Sequence, residues 1–172
     1  MGTSGDFGDR LGEALEKVRN EIREAEEEKH RIEEENRNRE GRARELAFRF
    51  WQNVITTRLT ETARKLPNAS VLKEDVSEDQ FGSGFTADLQ RGQLDLQITV
   101  TCRNEYHELL AQSKAFLYPE ATGTAKPAGK SVHSGSESFM TAEFDEDAAA
   151  KWVEDELIEI ASKGIHLHED YD

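Results

Sequence analysis

The residue types that do chemistry are few in this chain, and they are scattered. It holds one cysteine, Cys102, and five histidines. The nearest thing to a ligand set is His166-x-His168-x-Asp170-x-Asp172, which would place four metal-binding groups on one side of an extended segment. A metal site needs rigid support around its ligands, and such a segment rarely supplies it. Residues 165–172 therefore read as an acidic tail, and no metal is expected. His107-Glu108 is not a zinc-protease helix, because Ala111 stands where the second histidine is required. Gly82-Ser83-Gly84 has no helix after it, so it forms no phosphate cradle. Cys102 falls on the apolar side of an alternating run, where a thiol acts as a small core residue. His133 and Ser134 lie beside a loop-forming stretch, and nothing in the sequence places an Asp to orient the imidazole, as a hydrolase triad requires. No catalytic residue and no cofactor is assigned.

Composition turns attention from chemistry to architecture. The 172 residues carry 22 Lys/Arg and 36 Asp/Glu, a formal net charge of −14. The apolar fraction is 35% and the charged fraction 34%, against roughly 45–50% and 25% in ordinary globular chains. Part of the chain is therefore expected to be an elongated, solvated element. The charge is uneven: residues 1–66 hold 14 basic and 15 acidic side chains, residues 67–172 hold 8 and 21. The acidic balance argues against direct nucleic-acid binding, which needs positive surface. One cysteine excludes an intrachain disulfide framework. No apolar run approaches the 18 residues of a membrane span. The opening residues lack the basic-then-apolar pattern of a leader, so a cytoplasmic location is expected.

Residues 1–41 read as a coiled-coil stalk. From Glu13 to Glu40 there is neither Gly nor Pro. Leu11, Leu15, Val18, Ile22, Ala25, Lys29, Ile32 and Asn36 follow alternating steps of four and three residues. That is a heptad seam, which seeks another helix. Leu mixed with Val and Ile, and Asn36 at a core position, favour a parallel homodimer. The oligomerisation residues are thus Leu11, Leu15, Val18, Ile22, Ile32 and Asn36. Asp6, with Asp9 three residues on, is the expected cap of this helix. Glu precedes a basic residue by four at Glu13–Lys17, Glu27–Arg31, Glu40–Arg44 and Glu45–Arg49, among others, so intrahelical pairing is expected. The same pairing is the expected role of Arg37, Arg39, Arg42, Arg44 and Arg49. Gly41 is a candidate hinge.

Residues 42–164 read as an α+β head: a helix, antiparallel strands, then a helix. Leu46, Phe50, Trp51, Val54, Ile55 and Leu59 make an apolar face wide enough to dock on a sheet, ending at Pro67-Asn68. Leu94, Leu96, Ile98, Val100 and Cys102 alternate with polar residues, which marks a half-buried strand over 93–103. Phe81 to Leu89 is the strand before it, joined through Gln90-Arg91-Gly92. A third strand is expected within 106–118, where helix is the alternative. A loop follows over 119–131, and a last strand over 132–144 with Phe139 or Met140 turned inward. Asp145 caps a final helix whose stripe is Ala149, Trp152, Val153, Leu157 and Ile160, with Gly164 expected as its stop. In element order alone the chain resembles coiled-coil kinetochore proteins with RWD-type heads. That likeness rests on no diagnostic residue and transfers no function.

These readings converge on a non-catalytic interaction or adaptor protein. It oligomerises through the stalk and binds a protein partner with a basic surface through the acidic head. The expected contact residues are Glu154, Asp155, Glu156 and Glu159, where like charge is denser than folding needs. A second reading is an acidic inhibitor or nucleic-acid mimic that occupies a basic site. A third is an enzyme whose site is completed by another chain.

Overall fold

The computed structural model describes residues 4–66, 68–89, 91–120, 123 and 128–169. The chain divides into two compact units, Met1–Gly41 and Arg42–Asp172. Helix α1 spans Ser4–Arg49 and includes Gly41, so no break occurs at the candidate hinge. A glycine inside an exposed helix costs about 1 kcal/mol relative to Ala, which a 46-residue helix absorbs. Asp6 lies in the first turn rather than before it.

After α1 come a π-helical turn, Phe50–Ile55, and helix α2, Thr56–Ala63. The π turn has a packing reason. At 3.6 residues per turn, Ala47 and Leu59 would point about 120° apart. One extra residue in the turn removes about 100° of that difference, and both side chains are fully buried. The wider turn shows in the Thr56 amide, which donates to the Trp51 carbonyl five residues back.

The sheet has five strands: β1 Ser70–Ser77, β2 Gln80–Leu89, β3 Gly92–Arg103, β4 Glu108–Pro119 and β5 Lys130–Met140. Their order is β1-β2-β3-β4-β5, and every neighbouring pair is antiparallel. The first three connections are only two to four residues long, which favours pairing of consecutive strands, and β5 pairs with β4 across a longer connection. The segment 106–118 is thus strand from Glu108 onward, after a 3-10 turn at Asn104–Tyr106, and β1 is an edge strand that the alternation of the sequence does not announce. Between β2 and β3, Gly92 takes φ 152° and approaches the Tyr118 carbonyl so closely that a Cβ would overlap it. Helix α3, Glu146–Glu169, closes the head and continues through Gly164, so that residue is not its stop. Its N-cap is Asp145, whose Oδ1 accepts from the Asp147 amide at 3.0 Å.

One face of the sheet carries the core. Phe81, Phe85, Leu94, Leu96, Ile98, Val100, Leu109 and Ala111 meet Phe50, Trp51, Ile55 and Leu59 from the helical run and Val153, Leu157 and Ile160 from α3. Trp152 is only partly buried at the margin, with its ring 6.5 Å from Phe139. Phe139 faces in and Met140 is exposed. No helix among the described residues is long and apolar enough to cross a membrane.

Candidate functional site

Among the described residues, two places hold side chains beyond the needs of an ordinary core. The first is the seam on α1. Leu15, Ile22, Lys29 and Asn36 take the a positions of its heptads; Leu11, Val18, Ala25 and Ile32 take the d positions. Leu11, Leu15, Val18, Ile22 and Ile32 are each 47–54% exposed, in a row along a helix whose other residues are mostly charged or polar. Asn36 is exposed as well. Burying such side chains yields roughly 1.5–3 kcal/mol each, so the row is a large unused reserve. Charged pairs fix the outer surface: Lys17 with Glu21 at 4.0 Å, Arg23 with Glu27 at 3.9 Å, Arg31 with Glu28 at 2.5 Å. In the first two the basic residue precedes the Glu, and in the third the Glu comes first at a spacing of three, so none is an expected Glu-first pair at a spacing of four. Arg44 and Arg49 also depart from expectation. The turn between β1 and β2 offers Glu78 and Asp79 to Arg44, and the start of α3 offers Glu146 to Arg49.

The second place lies beneath α3. His133 of β5 and Ser113 of β4 face the helix, with 7% and 0% exposure. The Glu156 carboxylate descends between them. One of its oxygens lies 2.5 Å from His133 Nε2 and also accepts from the Ser113 hydroxyl. Gly135 makes the room, since a Cβ there would overlap that carboxylate. On the far side of the ring, Lys163 Nζ lies 3.0 Å from His133 Nδ1 and 2.9 Å from a Glu159 oxygen. An ammonium can only donate, so Nδ1 accepts and Nε2–H donates to Glu156. The hydrogen bond and charge of Lys163 hold the Glu159 carboxyl below its ordinary range.

Ser113 is fully buried, and its hydroxyl donates to the Glu156 carboxylate and not to the imidazole. Candidate ligand atoms of His133, Glu156 and Glu159 lie within 4.8 Å of one another. The cation among them is already Lys163, which occupies the ring nitrogen a metal would use. The network is a satisfied polar clamp between α3 and strands β4 and β5.

Three of the four expected contact residues have partners within the head. Glu156 is turned inward; Glu159 holds Lys163; Glu154 lies 2.8 Å from the Arg58 side chain of α2. Asp155 is exposed and has no ion-pair partner among the described residues. The clamp had one legible signal. Ala149, Val153, Glu156, Ile160 and Lys163 repeat at steps of four and three, so Glu156 sits on the apolar stripe of α3 and must find a partner inside. His133 could not be matched to it without the register of β5.

Cys102 is buried on β3, and burial together with the Asp79 charge pushes its thiol up to about 11. It is a core residue. His107 takes a left-handed conformation, φ 52°, and its carbonyl accepts from Thr141. Ser83 is buried as the acceptor of Trp51 Nε1 at 2.7 Å, in a strand rather than a loop. The side chains of the His166, His168, Asp170, Asp172 set lie outside the described residues. Compared with family models, curated proteins and solved structures, the chain matches none, and its function has to be argued from its own residues.

Proposed function

We propose that this is a non-catalytic interaction protein whose N-terminal helix pairs with another helix, while the acidic α+β head acts as a folded platform. The observation that carries the reading is the exposed apolar row Leu11, Leu15, Val18, Ile22 and Ile32. A helix with charged flanks and one apolar seam gains little by itself, and a second helix that covers the seam supplies the missing burial. The head offers a supporting contact through its excess of acidic residues, 21 against 8 over residues 67–172. Glu156 is turned inward, so a contact at that helix would use Asp155 with the exposed carboxylates of Glu154 and Glu159, whose surface ion pairs with Arg58 and Lys163 are weak enough to exchange.

The test is position-specific photocrosslinking in the source cells. A benzophenone side chain at Val18 or Ile22 is expected to join the protein to a single partner species. The same group at Glu24 or Glu27, on the opposite side of the helix, is expected to give none. Equal yields at all four positions, or none at any, would contradict the reading.

A further inference from the structure

Resting on the proposal that the α1 seam pairs with another helix, we infer that its partner is a basic-flanked helix of a different sequence and not a second copy of this chain. The apolar core alone favours a parallel homodimer. The flanking positions oppose it. With Leu15, Ile22, Lys29 and Asn36 at a, the g positions are Ala14, Glu21, Glu28 and Glu35, and the e positions include Arg19, Glu26, Glu33 and Glu40. In a parallel pair each g residue meets the e residue five places on in the other helix. Glu21 then meets Glu26, Glu28 meets Glu33, and Glu35 meets Glu40, each contact occurring twice. The antiparallel arrangement sets g against g and e against e; Arg19 then meets a Glu, but most of the Glu residues still meet Glu. Charges at e and g decide which partner a seam accepts, and like charges there reject the wrong one.

The core repeats the message. In a parallel homodimer Lys29 would face Lys29 across the seam, two ammonium groups in a layer that should exclude water. A partner with Lys or Arg along its flanks and a carboxylate opposite Lys29 resolves every one of these conflicts. The basic residues of α1 do not cancel the flank. Lys17, Lys29 and Arg31 lean on Glu21, Glu33 and Glu28, as exposed pairs that contribute little and reorganise readily. The seam is therefore built to stay single among its own copies and to close on a complementary helix.

The probe is a charge-reversed copy of the full chain carrying Glu21→Lys, Glu26→Lys, Glu28→Lys, Lys29→Glu, Glu33→Lys, Glu35→Lys and Glu40→Lys. Sedimentation equilibrium is run on each protein alone and on the equimolar mixture. The expected result is monomers alone and a one-to-one complex in the mixture, tighter than either self-association by about 100-fold or more. A second variant, Glu21→Lys, Glu28→Lys and Glu35→Lys in one chain, sets Lys against Glu in a parallel pair and is expected to self-associate. Dimerisation of the unmodified protein as tight as the mixture would overturn the inference while leaving the seam in place. A mixture that stays monomeric, with a second variant that does the same, would overturn it too. Association that survives Leu15→Asp with Ile22→Asp would remove the seam itself, and the pairing proposal with it.

Discussion

At the residue scale, the head depends on one carboxylate. Glu156 is the shared acceptor for His133 and Ser113, and it pins α3 to strands β4 and β5. Glu156→Ala leaves a buried imidazole N–H and a buried hydroxyl without an acceptor, and is expected to cost about 2–4 kcal/mol in urea unfolding. Asp155→Ala, one residue away on the exposed side, is expected to change stability by under about 0.5 kcal/mol. Equal effects for the two would contradict the clamp. Cys102 gives a pH test. Its folded thiol titrates near 11, above its unfolded value, so the folded state holds the proton where the unfolded chain releases it. That contribution is complete below the unfolded value and is lost as pH rises toward 11. Wild-type stability is therefore expected to fall more steeply than that of Cys102→Ala between pH 9 and about 11. Iodoacetamide at pH 8 is expected to label Cys102 at the rate of unfolding. Labelling at the rate of a free thiol would mean that Cys102 is open to solvent. The burial of Cys102 was legible in its alternating run. The clamp was legible only by half, because a carboxylate on an apolar stripe announces that it needs a partner without naming it.

At the element scale, strict periodicity was readable and its exceptions were not. The alternation from Leu94 to Cys102 marks β3, which occupies the centre of the sheet. Strand β1 escaped notice because it is an edge strand with Lys73, Glu74 and Asp75 in succession, and pairing with β2 decides its conformation. The π turn escaped for a related reason, since its extra residue answers to the sheet below and not to any local pattern. Trp51 and Thr56, five residues apart, both reach the Ser83 hydroxyl because of that turn, at 2.7 and 3.0 Å. Ser83→Ala strands both groups and is expected to cost about 1–3 kcal/mol. In a double-mutant cycle with Trp51→Phe the losses are expected to be less than additive; full additivity would mean that the hydrogen bond contributes nothing. Trp152→Ala is expected to cost less than the roughly 3–5 kcal/mol of a fully buried aromatic, because its ring lies at the margin of the core.

At the scale of the whole molecule, the two units divide the work. The core residues all lie at or beyond Ala43, and the exposed seam lies within the first 41 residues. Substitutions in one unit are thus expected to leave the stability of the other unchanged, as they do for separated sites. The apolar steps of the seam were legible in the sequence and are exposed on the helix; pairing with a complementary helix is what we propose from them and from the charges beside them. Hydrogen exchange resolves both units in one measurement. For the unmodified protein alone, the amides of residues 11–36 are expected to exchange rapidly while those of Ile98 and Val100 stay protected. Adding the charge-reversed copy is expected to slow exchange across residues 11–36 and to leave Ile98 and Val100 unchanged. Strong protection of residues 11–36 in the protein alone, or exchange there that the charge-reversed copy does not slow, would contradict a seam that waits for a complementary helix.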